Sequence, residues 1–352
     1  MINWFESMEQ TFEYYEVDPT TWKDVKQITN ITSSSISRDD GTDTLGSASI
    51  EMENMVGECY IRVYMIARQN GITHKEPLGT FLIQTPSSSF NGKTRKVSID
   101  AYTPLLELKE NPTPLGYALL KDDNIMKEAY LLAKDNCRVP VIETESNKQL
   151  TANFVADSGD SWLTFIRDLI LQAKYSFGLD EMGQIIFRPN QKTEELQPKW
   201  TFDDGNSSIL LPESTLKHDL YKVPNVVEVV CSTGTTIVTS RVENNDPNSS
   251  TSTVKRGREI LYRDTKPDIH GYPTQEQLDE YAENLLSNLS SVEYTVSYSH
   301  AYCPVTIGDC VRLNYEKAGL KNIKAKIISQ SISCKPGCTV KETAVFTKKL
   351  WK

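Results

Sequence analysis

Seven cysteines and four histidines are the side chains of this 352-residue chain best suited to bond-making or metal binding. Cys59, Cys137 and Cys231 are scattered, whereas Cys303, Cys310, Cys334 and Cys338 gather near the C-terminal end and raise the question of zinc. Their spacing is Cys-x6-Cys followed by Cys-x3-Cys. A structural zinc site pairs two Cys-x2–4-Cys knuckles, so half of that pattern is present. Cys334 and Cys338 also flank Lys335-Pro336-Gly337, a turn between two strand-like stretches. Hairpin-flanking thiols are favoured over a disulfide or a metal site. His300 ends an alternating strand three residues before Cys303. A Cys–His nucleophile pair must meet in space, and sequence alone does not establish that meeting. His74 lies in a polar loop, and His218 and His270 lie in turn-like contexts, so a structural role is expected for each histidine.

Other fragments of known chemistry are incomplete. Gly92-Lys93-Thr94 looks like the tail of a phosphate loop, but Ser87 stands where the first glycine belongs. Strand-like Val97-Ser98-Ile99 follows instead of a helix whose N-terminus would hold the anion, so a hairpin turn is expected. Asp39-Asp40-Gly41-Thr42-Asp43 lacks the alternate-residue spacing and distal bidentate Glu of a calcium loop and reads as a solvated turn. There is no His-Glu-x-x-His helix and no Gly-x-Ser-x-Gly elbow. The Asn-x-Ser/Thr triplets at Asn30, Asn206, Asn248 and Asn288 are chance matches in a chain not expected to be exported. No catalytic, cofactor-binding or metal-ligating residue is assigned, and a non-enzymatic protein without a cofactor is expected.

Composition narrows the field further. With 38 Lys+Arg against 47 Asp+Glu the formal net charge is −9, which argues against nucleic-acid or anionic-membrane binding through a basic stripe. Apolar residues at 38% and charged residues at 24% fit a folded chain with room for two or three domains. No apolar run approaches a membrane span, and Met1-Ile2-Asn3-Trp4-Phe5-Glu6 lacks the features of a signal peptide. Synthesis in a reducing cytoplasm, with free thiols, is expected.

The elements that must position these residues are mainly strands. Ala48, Ile50 and Met52, then Ile61, Val63 and Met65, then Val97, Ile99 and Ala101 alternate with polar neighbours, which predicts half-buried strands. Asn91-Gly92 supplies a hairpin turn, and Leu78–Ile83 reads as a strand buried on both sides. Asn111-Pro112-Thr113-Pro114 ends this first section. Beyond it the period becomes helical: Asp123 is expected to cap a helix carrying Ile125, Met126, Ala129, Leu132 and Ala133. A second helix from about Asp160 carries Trp162, Phe165, Ile166, Leu169, Ile170 and Ala173, and Leu179–Phe187 reads as a hairpin. From Trp200 β patterning returns, with Val226–Val230 paired to Ile237–Thr239 across Ser232-Thr233-Gly234-Thr235. A polar loop with nothing to bury follows over Asn244–Thr253, then a helix opened by a Thr274/Gln277 capping box, and last a β series through Phe346. The expectation is a β-rich α+β chain of three parts: 1–112, a mixed α+β section over 113–200, and 201–352 with an inserted loop and helix at about 244–290.

The order of these stretches resembles the central hub protein of phage tail baseplates, including those of phage-tail-like bacteriocins and defective prophages. The resemblance rests on Val223-Pro224-Asn225-Val226-Val227-Glu228-Val229, Arg258-Glu259-Ile260, the helix Thr274–Leu286, Pro304-Val305-Thr306-Ile307-Gly308-Asp309-Cys310-Val311-Arg312-Leu313, and the closing strands to Leu350-Trp351. More loosely, Thr20-Thr21-Trp22-Lys23-Asp24-Val25 and Pro77–Ile83 are similar to the first barrel of such hubs. Each motif alone is weak, and their order along nearly the whole chain carries the weight.

The resemblance implies two tube-like antiparallel β-barrel domains per chain, at 1–112 and 201–352. It further implies a homotrimer whose six barrels form a pseudo-hexameric ring between a hexameric tail tube and a trimeric central spike. Implied partners are further copies of the chain, tube proteins, the spike and other baseplate proteins of a contractile injection system or other tail, with no specific nucleic-acid binding and no membrane anchor. The implied location is the virion or tailocin particle, after synthesis in the bacterial cytoplasm. Trp4, Tyr14, Tyr15 and Trp351 are interface candidates, set against ordinary core roles. Two rivals stand beside the hub. One is a tail-associated peptidase, for which no enzymatic extension or catalytic constellation is read; the other is a cytosolic β-rich protein with a ligand pocket.

Overall fold

Alternation of apolar and polar residues builds the first strands, because successive strand side chains point to opposite faces. They are β1 (Glu9–Val17), β2 (Asp24–Ile28), β3 (Ile31–Asp39), β4 (Gly46–Met52), β5 (Tyr60–Gln69), β6 (Ile72–Phe90) and β7 (Arg95–Tyr102). Helical and mixed segments follow: α1 (Leu106–Glu110), β8 (Ala118–Leu119), α2 (Ile125–Asn136), β9 (Phe154–Val155), α3 (Trp162–Gln172), β10 (Tyr175–Leu179) and β11 (Ile185–Pro189). The rest is β12 (Trp200–Asp203), β13 (Leu210–His218), β14 (Val226–Ser232), β15 (Ile237–Glu243), α4 (Thr253–Arg256), β16 (Leu261–Asp264), α5 (Gln275–Leu289), β17 (Ser291–Ala301), β18 (Cys310–Tyr315), β19 (Leu320–Ser333) and β20 (Thr339–Lys349). The computed structural model describes residues 2–54, 57–90, 92–93, 95–232, 237–269 and 273–351. Asn91 and Thr94 of the expected first hairpin turn, residues 233–236 of the second, and His270 lie outside the described residues.

The chain divides into two units, Met1–Glu213 with Tyr298–Thr343 and Ser214–Ser297 with Ala344–Lys352. In the first, the strand order runs β20-β19-β3-β4-β7-β6-β5-β1-β2, with β18 also on β19 and β12 parallel to β18. Its inward face carries Ile36, Ile50, Met52, Ile61, Val63, Met65, Leu78, Val97, Ile99 and Ile332 in one core. The pairings form open paths. Closure of either β section into a barrel, expected from the resemblance, is not among those of the described residues. The fold is β-rich α+β, with one large and mainly antiparallel sheet.

Two expectations for this unit change in detail. β5 is not half-buried: Tyr60, Arg62 and Tyr64 are buried along with Ile61, Val63 and Met65, because the turn after β10 reaches its second face through Met182. The cap of α2 is Asn124, whose side chain accepts from Lys127 N at 3.0 Å. Asp123 instead accepts from Leu120 N at 2.8 Å and folds the preceding loop. The hairpin over Leu179–Phe187 forms as β10 and β11, with Asp180 Oδ1 accepting from Met182 N and Gln184 N.

In the second unit, β14 pairs antiparallel with β15, the expected partner, with Val230 opposite Thr239, and parallel with β16. The expected capping box at Thr274 and Gln277 starts α5, whose Leu278, Ala282 and Leu286 pack with Val227, Val229 and Trp351. The loop from Asn244 to Thr253 is a correction. Asn244, Ser249, Thr251 and Ser252 are buried, because their polar atoms are matched by one another and by Leu350 O. Asn244 Nδ2 donates to Ser249 Oγ at 2.9 Å, Ser249 Oγ donates to Leu350 O, and Ser252 caps α4. Polar side chains can be buried without large loss when every donor finds an acceptor. Among the described residues no helix is long and apolar enough to cross a membrane.

These assignments yield a stability test. Leu286→Ala should lower the second unit's unfolding free energy by about 2–5 kcal/mol, as expected for a truncated core leucine. Thr274→Ala should lower it by about 1 kcal/mol through loss of the cap. Urea denaturation followed by circular dichroism checks both values and their order.

Candidate functional site

The fold brings His300 and Cys303 together, which the sequence could not establish. Cys303 Sγ lies 3.8 Å from His300 Nδ1, and His300 Nε2 lies 3.2 Å from Glu342 Oε1, so the three follow the order of a nucleophile, a base and an orienting acid. Chemistry at this cluster is blocked in three ways. All three side chains are buried, with His300 and Glu342 at 0% exposure, and Phe202 covers the imidazole with ring centroids 4.6 Å apart. His300 Nδ1 stands 2.7 Å from Ala301 O; a carbonyl only accepts, so Nδ1 carries a hydrogen and cannot take the thiol's proton. Burial, reinforced by the Glu342 charge, pushes the Cys303 thiol far above its ordinary range, opposite to what a nucleophile needs.

Glu342 instead organises a buried polar network. Tyr298 Oη donates to its Oε2 at 2.6 Å, and Gln330 Nε2 donates to its Oε1. Gln330 also donates to Val305 O at 3.0 Å and accepts from Arg38 Nη1 at 2.9 Å. Burial first, and then the neighbouring carboxylate, hold the Tyr298 phenol well above its usual range.

Arginines do the wider joining of this unit. Arg62, 1% exposed, donates to Asp24 Oδ1 at 2.8 Å, to Thr80 Oγ1 at 2.9 Å, to Trp22 O at 3.3 Å and to Met182 O at 3.2 Å. One guanidinium therefore ties β2, β6 and the β10–β11 turn to β5. Arg188 on β11 donates to Ile307 O and to Leu179 O; burial lowers its pKa by disfavouring the cation. Its side chain crosses two glycines. A Cβ at Gly178 would lie 2.6 Å from Arg188 Nε, and one at Gly308, whose φ is +86°, would lie 3.0 Å from Nη1. Arg38 on β3 donates to Leu78 O at 2.7 Å and to Thr306 Oγ1 at 3.3 Å. Between these elements lies a cavity of about 40 Å³, lined in part by Arg38, Thr80, Asp180 and Ile307. It has room for water but falls far short of the several hundred Å³ of a small-molecule site.

The remaining sequence candidates are accounted for individually. Cys334 and Cys338 flank the β19–β20 turn as expected, free and buried in the first core, with burial pushing them up to about 11 and about 12. Cys310 opens β18 and is buried. Among the described residues no group of three His, Cys, Asp or Glu side chains is placed to hold a metal. In the acidic turn Asp43 is matched to Lys109 at 3.1 Å and Arg167 at 3.0 Å, which hold its carboxyl below the usual range. His74 pairs with Glu76 at 2.7 Å, and His218 stacks on Tyr294 at 4.6 Å. Of the four aromatic interface candidates, Tyr14 and Trp351 are core residues of their own units, because their rings complete apolar clusters within the chain. Trp4 and Tyr15 are half-buried, Trp4 against Tyr302 and Tyr15 beneath Lys75 Nζ.

Sequence reading missed Glu342 and the arginines, although a signal for the first exists. Glu342 occupies the inward phase of Val340, Ala344 and Phe346, and His300 that of Val292, Val296 and Tyr298. Charged or polar residues in the apolar phases of two strands are the mark of a buried network. Arg62 gave no such mark, because it sits in the phase that β5 would turn to solvent if its second face were uncovered.

No family model matches this sequence, and no curated protein matches it. Solved structures do. The tail protein from Neisseria meningitidis MC58 superposes with a TM-score of 0.62 at 11% identity, over 97% of this chain and 98% of that one. The 43 kDa tail protein of prophage MuSo2 from Shewanella oneidensis gives 0.62 at 13% identity, over 95% and 98%. A chain of the lidded Francisella PdpA–VgrG complex gives 0.55 at 10% identity, over 97% of this chain and 53% of that one. At such identities the likeness is one of fold: nearly from end to end, this chain is similar in architecture to phage tail proteins.

Two measurements test the site as described. Arg62→Met should cost about 3–5 kcal/mol, because it takes the cation from Asp24 and the donors from buried Thr80 Oγ1 and Trp22 O, and Arg62→Lys should recover little of that loss. Urea midpoints decide it. Glu107 provides a pH test. Burial opposes its ionisation, but Arg138 and the Tyr60 hydroxyl (2.6 Å) together hold it below the usual carboxylate range. A lowered folded pKa stabilises above the unfolded value, and the stabilisation is lost as pH falls through the folded value. Wild type should therefore exceed Glu107→Gln in stability at neutral pH, and the two curves should converge in acid.

Proposed function

We propose that this chain is the structural hub of a tail baseplate, a homotrimer whose ring joins the tail tube to the central spike. The observation that carries the reading is reciprocal coverage. Two tail proteins match over 95% or more of this chain and 98% of their own lengths, so the order of elements is shared along the chain and not in one common module. The fold likeness to a chain of a PdpA–VgrG complex, over 53% of that chain, supports a place in a multi-protein assembly. The sealed Cys303–His300–Glu342 cluster fits a structural role, since catalysis there would need access and a free base. The cavity between Arg38 and Asp180 is too small for a ligand, so a ligand-binding reading would have to use the open cleft of about 480 Å³ beside Lys217, His218 and Glu293 in the second unit. In this reading the protein is made in the bacterial cytoplasm and resides in the assembled tail or tailocin particle.

Light scattering on the size-exclusion peak, over a range of concentrations, tests the trimer. The expected mass is three times that of the chain, either alone or once spike protein is added. A monomer that persists with both spike and tube proteins present would overturn the proposal.

A further inference from the structure

The outward side of five adjacent strands in the first unit is paved with hydroxyls. Register places the residues in cross-strand rows: Ser331, Ser37, Ser47 and Tyr102; Ser333, Ser35, Ser49 and Asp100; and Ser33, Glu51, Ser98 and Ser87. The intervening residues, among them Ile36, Ala48, Ile50, Val97, Ile99 and Ile332, face the core. Ser33, Ser35, Ser37, Ser49, Ser87, Asp100 and Ser331 are exposed, so this is open surface along β19, β3, β4, β7 and β6. Its one matched cation, Lys96, is held 2.6 Å from Glu51.

Stability does not account for this choice. Strand positions in the middle of a sheet favour threonine, valine and aromatic residues, and serine brings neither packing nor β-propensity. Adhesion does not account for it either. Interface cores are depleted in serine and enriched in large aromatic and arginine side chains, and retention of a polyanion needs unmatched Lys and Arg. Short hydroxyls over a flat sheet hold water and offer little for a passing chain to grip. In a ring-forming particle, the surface that must be smooth and non-adhesive is the wall of the central passage.

We infer that the serine face of β19-β3-β4-β7-β6 lines that passage. The inference rests on the hub reading and adds to it the orientation of the first unit toward the ring axis. The wall then presents hydroxyls with Asp100 and a neutralised Glu51, and it neither traps a translocating chain by charge nor binds it by apolar contact.

Spin-label distances test this separately from trimer formation. Single cysteines at Ser49→Cys on the serine face, Glu9→Cys on β1 and Lys127→Cys on α2 would each carry a nitroxide, with wild-type protein taken through the same labelling to define the background from native thiols. All three sites are exposed. In a three-fold ring the spacing between equivalent labels grows in proportion to their distance from the axis. The expected result is the shortest inter-copy spacing at Ser49. A longer spacing at Ser49 than at either other site would overturn the inference and leave the hub intact. No inter-copy spacing at any site, with spike and tube proteins present, would overturn the hub reading and this inference with it.

Discussion

A buried guanidinium must have its hydrogens matched, and the first unit is arranged around that requirement. Arg62 is 1% exposed yet meets a carboxylate, a hydroxyl and two carbonyls from β2, β6, the Trp22 loop and the β10–β11 turn. A planar cation with five fixed donors can satisfy several acceptors that converge from different elements, which an ammonium cannot. Replacing the guanidinium would take the cation from Asp24 and donors from Thr80 Oγ1 and Trp22 O at once, so these elements share their dependence on one side chain. Arg188 and Arg38 repeat the device toward Ile307, Leu78 and Gln330, and Gly178 and Gly308 leave room for the Arg188 side chain.

The same logic extends to the cluster that most resembles an active site. Glu342 gathers donors from Tyr298 and Gln330, and His300 sits beside it under Phe202. Such a network favours one arrangement of β17, β19 and β20, because other arrangements would take Tyr298 and Gln330 from Glu342, while His300 Nε2 has no hydrogen-bond partner in it. Geometry that suggests a catalytic triad therefore does structural work, and burial together with the committed Nδ1 hydrogen separates the two roles.

Much of the fold was legible in the sequence because it followed local rules. The period of two marked β4, β7 and β17, the capping box at Thr274 marked α5, and the polar turn at Asp180–Gln184 marked the β10–β11 hairpin. What local rules could not reveal depended on distant residues. β5 read as half-exposed because its second cover, the turn carrying Met182, lies far along the chain. The Asn244–Thr253 loop read as solvated because its polar atoms are matched by one another and by Leu350 O, which composition does not disclose. The meeting of His300 with Cys303 followed from the path of the chain after β17, and Glu342 joined them across the sheet. The resemblance to tail hubs was carried by the order of weak motifs, and the fold likeness to tail proteins agrees with it along nearly the full length.

The central claim is that copies of this chain form a closed ring between tube and spike. Electron-microscopic class averages of the purified protein mixed with the proposed spike protein test it most directly. The account predicts end-on views of a ring of three copies with a sixfold-like outline and an open centre. Separate single copies, unassociated with one another and with the spike, would contradict it.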